Sequence, residues 1–199
     1  MSFRKEKKYR LSLSDQKILK KKLESKGLKK LYPRRMINSI YFDTKNLNLH
    51  LNSEEGVLPR KKIRIRWYGD NINKLTKEIK ISSIEGRYKV SKPVIYNTFE
   101  DIFKIKIFDK EYGFLKPKIL ISYLREYYTL KNLRLTFDNK IKYKNLTSNY
   151  QLIKSEKECV MEVKSDFNTD DDYIEKLIEY PTTRFSKYSR GILHTENLL

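Results

Sequence analysis

Charged side chains recur at every second position in several strand-like segments of this sequence. The segment RIRWY carries Arg64 and Arg66, and the segment KEIKI carries Glu78 and Lys80. The same spacing recurs at Arg4, Glu6 and Lys8, at Arg134, Thr136 and Asp138, and at Glu162 and Lys164. Because alternate residues of a strand point to the same face of a sheet, each segment would present its charges on one face.

Cations predominate in this set, and the residues between them are largely apolar, as in Ile63, Ile65 and Trp67. Arg and Lys bind phosphate oxygens, and a few carboxylates among them could hold a divalent metal ion. A closed antiparallel sheet would bring these faces into one interior, where a tunnel lined with cations could thread a phosphate chain. The alternative is an ordinary sheet with one face in water, whose charges are only solvated.

Strands make up most of the chain around these charges, with a few short helices between them. We predict strands over 3–11, 37–43, 60–68, 74–82, 117–130, 132–138 and 157–164, and a short strand after Gly86. We predict helices from a cap at Ser14 to about Lys26, over 46–54, near 98–108 and over 170–180. The basic segment FSKYSRGI near the end receives no element. The predicted fold class is α+β.

The composition favours one folded domain with a polyanionic partner. At 199 residues the chain suits a single domain, and its 39% hydrophobic content is too high for a disordered basic tail. Lys and Arg number 44 against 25 Asp and Glu, a formal net charge of +19. Such a charge favours nucleic acid, an anionic membrane or phosphate chains as the partner.

Several classes of protein are disfavoured by the same sequence. The single cysteine, Cys159, excludes an internal disulfide and a cysteine-rich zinc site. The two histidines, His50 and His194, are far apart, which argues against a histidine metal site or a catalytic triad. The N-terminal sequence lacks the apolar segment of a signal peptide, and no stretch is apolar enough for a membrane span. We therefore expect a cytoplasmic protein.

A set of motifs gives the sequence a family resemblance over nearly its whole length. They are RKEKKY at 4–9, SIYFDT at 39–44, RIRWY at 64–68, EIK at 78–80, SYxR at 122–125, RLTFD at 134–138, MEVK at 161–164 and FSKYxxG at 185–191. In order and spacing they resemble the VTC domain, the polyphosphate polymerase domain of the triphosphate tunnel metalloenzymes within the CYTH-like superfamily. Each motif alone is common, so the resemblance depends on their order.

The resemblance implies an antiparallel eight-stranded β-barrel tunnel with flanking helices, formed by residues 1–199 as a single domain. It implies a metal-dependent phosphotransferase that moves the γ-phosphate of ATP onto a growing inorganic polyphosphate chain, with Mn²⁺ or Mg²⁺ as cofactor. The partners would be ATP and polyphosphate, with another, membrane protein needed if the product is exported.

The resemblance also implies roles for particular residues. Phosphate would be bound by Lys8, Arg64, Arg66, Lys80, Lys92, Arg125, Arg134 and Lys187. The catalytic group would be Arg64, Arg66, Lys80, Arg134 and Glu162, and Glu162 would bind the metal. Glu6, Glu78 and Asp138 are further candidates for the metal, although each could orient a neighbouring cation instead. The match could slip near Lys92, in which case Arg87 or Lys89 takes its place.

The sequence leaves rival functions open. Hydrolytic members of the superfamily carry E-x-E-x-K on the first strand, whereas this chain has Arg4 at the earlier position, which favours the polymerase over a metal-dependent triphosphatase. A non-catalytic module that binds polyphosphate or nucleotide would use the same arginines. Nucleic acid is a third possibility that we do not expect, because the remaining charge near the first helix is more often a solvated face. That charge comprises Lys20, Lys21, Lys22, Lys29, Lys30, Arg34 and Arg35, which could also guide the product chain.

Overall fold

A computed structural model describes residues 4–96, 98–147 and 152–195, without the side chains of Arg4, Ile72, Asn73 and Phe99. The strands are β1 (Arg4–Leu11), β2 (Lys29–Asp43), β3 (Arg60–Tyr68), β4 (Asn71–Ser83), β5 (Gly86–Val94), β6 (Ile107–Asp109), β7 (Gly113–Leu130), β8 (Leu133–Asn145), β9 (Ile153–Ser155) and β10 (Cys159–Asp166). The helices are α1 (Leu13–Ser25), α2 (Asn48–Glu55), α3 (Phe99–Lys104), α4 (Asp171–Ile178) and α5 (Lys187–Thr195).

The strands are hydrogen-bonded in the order β1-β10-β8-β7-β2-β3-β4-β5, with β6 beside β7 and β9 beside β8. Neighbouring strands run antiparallel, as in the pair β1 and β10 and in the pair β3 and β4. An antiparallel sheet accompanied by helices is the α+β class predicted from the sequence, and that prediction is confirmed.

The chain forms two compact units, and strands β2, β7 and β8 contribute residues to both. The first unit comprises Met1–Met36, Tyr123–Ile141 and Ser155–Phe185, and the second comprises Ile37–Ser122, Lys142–Lys154 and Ser186–Leu199. The single domain over 1–199 stays a prediction.

Alternation of apolar and charged residues builds the core of the first unit. On β8, Leu135 and Phe137 are fully buried, and on β10 so is Met161, in a cluster that also holds Leu23 of α1 and Ile174 of α4. The helices therefore cover the apolar face of these strands. The charged residues between the apolar ones lie on the other face, since neighbouring strand residues point in opposite directions.

The second unit follows the same rule on β3. Ile63, Ile65 and Trp67 are buried in a cluster with Leu49 of α2 and Ile102 of α3. Burial of such a cluster stabilises the fold by roughly 1.5–3 kcal/mol for each large apolar side chain. This packing fixes the faces of β3, so that the intervening arginines point away from the apolar cluster.

Helix α1 begins two residues earlier than the sequence indicated. The Oγ atom of Ser12, not of Ser14, accepts a hydrogen bond from the backbone N–H of Asp15 at 3.0 Å. The predicted cap at Ser14 is therefore wrong, because Leu13 is already helical. At the other end Gly27 adopts φ +98, as the sequence predicted for the stop of this helix.

Other elements differ from the predictions in extent. Strand β2 begins at Lys29 rather than at residue 37, and the segment FSKYSRGI contributes most of α5. The helix predicted near 98–108 ends at Lys104 and is followed by β6. The first residue of the strand predicted over 3–11 lies outside the described residues. Within the described ranges no helix is both long and apolar enough to cross a membrane.

Candidate functional site

The second unit gathers its charges where β2, β3 and β4 lie side by side. Arg64 is opposite Glu78 on β4 and opposite Tyr41 on β2, while Arg66 is opposite Ser39. Both arginines are nearly buried, with 8% of each residue exposed. We call Arg64, Arg66, Glu78 and Tyr41, together with Lys89 of β5, the Arg64 cluster.

Each arginine of the cluster is held by more than one atom. The Nε atom of Arg64 donates to Glu78 Oε2 at 2.7 Å, and its Nη1 atom donates to the hydroxyl of Tyr41 at 2.7 Å. The Nε atom of Arg66 donates to Ser39 Oγ at 3.1 Å, and its Nη1 atom lies 3.8 Å from Glu78 Oε2. Guanidinium groups fixed in this way are prepared to bind phosphate oxygens without further ordering.

Glu78 is the carboxylate that the cations of this cluster share. Besides the two arginines it accepts a hydrogen bond from Lys89 Nζ at 2.9 Å. Burial raises the pKa of Glu78, but the charges of Arg64 and Arg66 and the hydrogen bonds outweigh it and lower the pKa to about 2. Of the two roles open to Glu78, these contacts favour the orientation of cations.

The loss of the Glu78 charge should destabilise the protein. We expect Glu78→Gln to lower the free energy of unfolding at neutral pH by about 2–4 kcal/mol, because buried cations lose their counter-charge. Since the folded pKa of about 2 lies below the ordinary 4.5, this stabilisation is complete above pH 4.5 and is lost as the pH falls towards 2. Urea denaturation of wild type and variant at several pH values measures it.

A matched control for this prediction is Glu111→Gln. Glu111 contacts Lys61 at 3.0 Å, but 46% of its side chain is exposed. We expect a change in the free energy of unfolding within about 0.5 kcal/mol for this exposed ion pair. Equal effects of the two variants would contradict the role given to Glu78.

Tyr41 reports the positive potential of the Arg64 cluster. Burial raises the pKa of its hydroxyl, but the charges of Arg64, Arg66 and Lys80 overcome that effect and lower the pKa to about 7. The ring stacks on Tyr188 of α5 with the centroids 4.9 Å apart and the planes at 9°. Tyr188 in turn donates a hydrogen bond to the buried Asp43. This bond holds the Tyr188 ring in place, and the stacked Tyr188 ring holds Tyr41.

Tyr41 should ionise with a midpoint near pH 7, visible as a rise in absorbance at 295 nm. Tripolyphosphate should move this midpoint upward by about one pH unit, because the anion offsets the cations that favour the phenolate. Tyr41→Phe should lack the step, while Tyr68→Phe, which removes an exposed hydroxyl, should retain it. A wild-type protein with no absorbance change below pH 9 would contradict the described geometry.

Lysines extend the cluster along β4 and β5. Lys80 lies opposite Lys62 on one side and opposite Lys89 on the other. Lys92 lies opposite Lys77 and therefore falls on the other face, with Ile79 and Val90, rather than with Glu78. The structure thus brings Lys89 to the cluster and does not bring Lys92, the residue that the motif match had placed first.

The start of α5 packs against the same face of the second unit. Lys62 Nζ donates to Ser186 Oγ at 2.9 Å, directly before Lys187. Ser189 Oγ donates to Glu54 of α2 at 2.6 Å, which holds the helix in place. Lys187 is the first residue of α5 and is half-buried. Lys187 therefore lies between Ser186, which contacts Lys62, and Tyr188, which stacks on Tyr41.

The first unit carries a second charged face on β1, β10 and β8. The strand registers place Lys8 opposite Glu162 and Glu6 opposite Lys164. Lys164 Nζ lies 3.0 Å from Glu162 Oε1 and 4.0 Å from Glu6, and Glu6 also contacts Lys8 at 3.3 Å. Lys8 Nζ donates to the carbonyl of Phe185 at 3.0 Å. We call Glu6, Lys8, Glu162 and Lys164 the Glu162 cluster.

Two further predicted arginines lie in the first unit. Arg125 donates from Nε and Nη2 to the two carboxylate oxygens of Asp138, at 2.6 and 2.7 Å. Burial lowers the pKa of Arg125, but the charge of Asp138 raises it well above the usual value. Asp138 is fully buried and orients Arg125, the second of the roles open to it. Arg134 is exposed on β8 and lies opposite Lys164.

The Glu162 cluster has features of a site completed by a bound ion. Directly opposite Glu162 on β8, the hydroxyl of Thr136 is buried and has no hydrogen-bond partner among the described residues. Among the residues that the structure describes, no group of three or more His, Cys, Asp or Glu could hold a metal ion by itself. Mg²⁺ commonly binds through one or two carboxylates and takes its other ligands from water and substrate phosphates. Glu162 and Glu6 fit that arrangement.

Sequence reasoning assigned no role to Ser39 and Tyr41, although both lie in the SIYFDT motif. Their spacing by two places them on one face of β2, and the register brings that face to Arg64 and Arg66. The alternation was visible in the sequence, but the partner strand was not. The side chain of Arg4, at the start of β1, lies outside the described residues, so its predicted place on the charged face of the strand stays a prediction.

Solved structures share this fold. A proposed adenylate cyclase from Vibrio parahaemolyticus has a TM-score of 0.54 and 11% identity, over 96% of this chain and 98% of that chain. A protein of Pyrococcus horikoshii OT3 has a TM-score of 0.53 and 15% identity, over 97% of this chain and 99% of that chain. At these identities the likeness concerns the fold alone, and it confirms the tunnel fold class predicted from the sequence.

Sequence comparison identifies the family. No curated protein matches the chain. The VTC domain, by contrast, matches it over residues 3–195, which include both the Arg64 cluster and the Glu162 cluster. This chain therefore belongs to the VTC domain family.

Proposed function

We propose that the protein is a polyphosphate polymerase that transfers the γ-phosphate of ATP onto a growing chain of inorganic polyphosphate. The observation that carries this proposal is the Arg64 cluster, where two nearly buried arginines and Lys89 share the carboxylate of Glu78. Positive charge out of contact with water is costly unless anions offset it. The phosphate groups of ATP and of the polymer supply such anions.

In this proposal the arginines of the second unit position the triphosphate and neutralise its charge. Phosphoryl transfer needs mainly positioning and neutralisation of the charge that spreads over the phosphate oxygens. Arg64 and Arg66 present planar, always charged groups that bind phosphate in a bidentate manner. Lys80, Lys89 and Lys187 add point charges. Glu78 keeps Arg64 in its orientation and so reduces the entropy lost when phosphate binds.

The first unit has charged groups of its own. Glu162, with Glu6 as its neighbour, would hold Mn²⁺ or Mg²⁺, and members of the tunnel family generally use divalent metals. When bound, the metal ion would neutralise charge on the phosphate oxygens. Lys8, Arg134 and Arg125 would bind further phosphates. The acceptor is the terminal phosphate of a chain, which is already an anion, so no general base is required.

Transfer to polyphosphate is favoured over transfer to water by the first strand, where Arg4 stands at a position at which hydrolytic members of the superfamily carry a glutamate. A hydrolase would use further carboxylates to hold a second metal ion and to activate the attacking water. The partners of the proposed polymerase are ATP and polyphosphate, its location is the cytoplasm, and export of the product would need a membrane protein.

The experiment is incubation of purified protein with ATP and Mn²⁺ or Mg²⁺, followed by gel detection of polyphosphate. We expect polymer that does not form when EDTA removes the metal. Release of inorganic phosphate without polymer would instead indicate a triphosphatase. Tight binding of tripolyphosphate with neither product would indicate a binding module.

A further inference from the structure

The first half of β2 is an exposed strand edge in the first unit. β3 pairs with β2 only from Ile37 onward, so residues 29–36 have β7 as a neighbour on one side and lack β3 on the other. All residues of this half except Leu31 are exposed. The sequence KKLYPRRM gives this edge four cations and no acid.

The two arginines of this edge differ from three surface lysines of the same unit that have acidic partners. Lys7 contacts Glu175 at 2.8 Å, and Lys22 and Lys26 share Glu179 at 2.6 and 2.7 Å. Within the described ranges, Arg34 and Arg35 have no carboxylate within ion-pair distance. The two arginines therefore keep a positive charge that no carboxylate offsets at ion-pair distance in the described ranges, in contrast to Lys7, Lys22 and Lys26.

Aromatic rings hold one of the two arginines in place. The guanidinium of Arg35 lies 5.8 Å from the ring centroid of Tyr32 and 5.6 Å from that of Tyr127 on β7. The two rings are 5.9 Å apart at 80°. Contacts of this kind stabilise a cation and leave its N–H donors at the edge of the group free to bind an anion.

We propose that this edge is a second binding surface for linear polyphosphate, which shares no residue with the Arg64 cluster. We define the arginine–tyrosine edge by Lys29, Lys30, Tyr32, Arg34, Arg35 and Tyr127. Lys30 and Arg34 share one face of the strand, and Lys29 and Arg35 share the other, because alternate residues of a strand point the same way. Cations on both sides of an extended edge suit a flexible, linear polyanion by charge and by shape. The inference rests on the proposed function for the identity of that polyanion.

Two other roles for the edge are weaker. Single-stranded nucleic acid would need ring faces on which bases can stack, but the rings stand at 80° to each other and face Arg35. Lys, Arg and Pro at an open strand edge also prevent pairing with another chain. That role needs no tyrosine pair around Arg35.

The test is the affinity of labelled long-chain polyphosphate in the presence of saturating tripolyphosphate, which occupies the Arg64 cluster. We expect Arg34→Ala with Arg35→Ala to weaken binding about tenfold and to reduce the salt slope by about one to two. Lys22→Ala with Lys26→Ala removes the same charge from lysines already paired with Glu179 and should change affinity less than about twofold. Circular dichroism checks that the variants fold.

The other outcomes separate this inference from the proposed function. A wild type that makes no polymer but binds long chains through the arginine–tyrosine edge would sustain the inference alone. Unchanged affinity in the arginine variant would overturn the inference. If that variant also self-associates, the arginines serve to prevent pairing of this edge with another chain. Preference for oligo(dT) over polyphosphate, with binding lost in Tyr32→Ala, would overturn it in favour of nucleic acid.

Discussion

Replacement of Arg64 by alanine is expected to weaken tripolyphosphate binding about a hundredfold and to lower polymer formation by a similar factor or more. The residue is 8% exposed and its guanidinium is fixed by both Glu78 and Tyr41. Its removal would delete a pre-oriented phosphate ligand and leave Glu78 with less positive charge around it. Isothermal titration with tripolyphosphate and the polymer assay measure the two effects.

A second variant of Arg64 and a control variant on the same strand make this prediction more specific. Arg64→Lys keeps the charge but loses the planar fork, so its affinity should lie between that of wild type and that of Arg64→Ala. Lys61→Ala is the control, because Lys61 precedes Arg64 on the opposite face of β3 and contacts Asp109 at 3.0 Å. If Lys61→Ala and Arg64→Ala weakened binding equally, the effect would be one of net charge, and the assigned role would be wrong.

The exchange Glu162→Gln should separate binding from transfer. We expect polymer formation to fall by about 10²–10³ while the affinity for tripolyphosphate without metal stays within about threefold. The amide keeps the size of the side chain but loses the anionic oxygen that a metal needs, and Glu162 lies among Lys8, Lys164 and the buried hydroxyl of Thr136. Steady-state kinetics over a range of Mn²⁺ concentrations measures the loss.

Glu158→Gln is the matched control for Glu162→Gln. Glu158 directly precedes β10, and 31% of its side chain is exposed beside Arg10. Its replacement should leave polymer formation within about twofold, since an exposed ion pair contributes little. Equal activity in the two variants would remove Glu162 from the mechanism, and parallel loss of metal-free binding would make it a structural residue.

The charged faces could be predicted from the sequence because strand alternation is a local property. Residues two apart share a face whatever the partner strand is, so Arg64 and Arg66 had to lie together. The registers place Arg64 opposite Glu78 and Lys8 opposite Glu162, and the gathering of all the charged faces in one interior stays a prediction.

What could not be predicted depends on contacts between distant segments. The first half of β2 contains Pro33, which argues against a strand unless the strand lies at an edge, and only the ladder order shows that it does. The motif match placed Lys92 among the phosphate ligands with Arg87 and Lys89 as alternatives, and the sequence could not decide among them because the face of each β5 residue depends on the register with β4.

The chemical state of a residue was likewise hidden where other strands determine it. Tyr41 looks like a core tyrosine in the sequence, and its lowered pKa arises from Arg64, Arg66 and Lys80 on other strands. Asp138 could have been a metal ligand or a partner of a cation until Arg125 of β7 was seen to bind both of its oxygens.

The most direct test of the proposed polymerase is to follow the γ-phosphate itself. Purified protein is incubated with Mn²⁺ and ATP labelled at the γ-phosphate, and labelled polymer, labelled free phosphate and ADP are quantified together. The proposed function predicts that the label enters a chain that lengthens with time, with one ADP released for each phosphate added. Arg64→Ala and Glu162→Gln should each lower both rates by about a hundredfold or more. Label that appears only as free phosphate, or that stays in ATP, would contradict it.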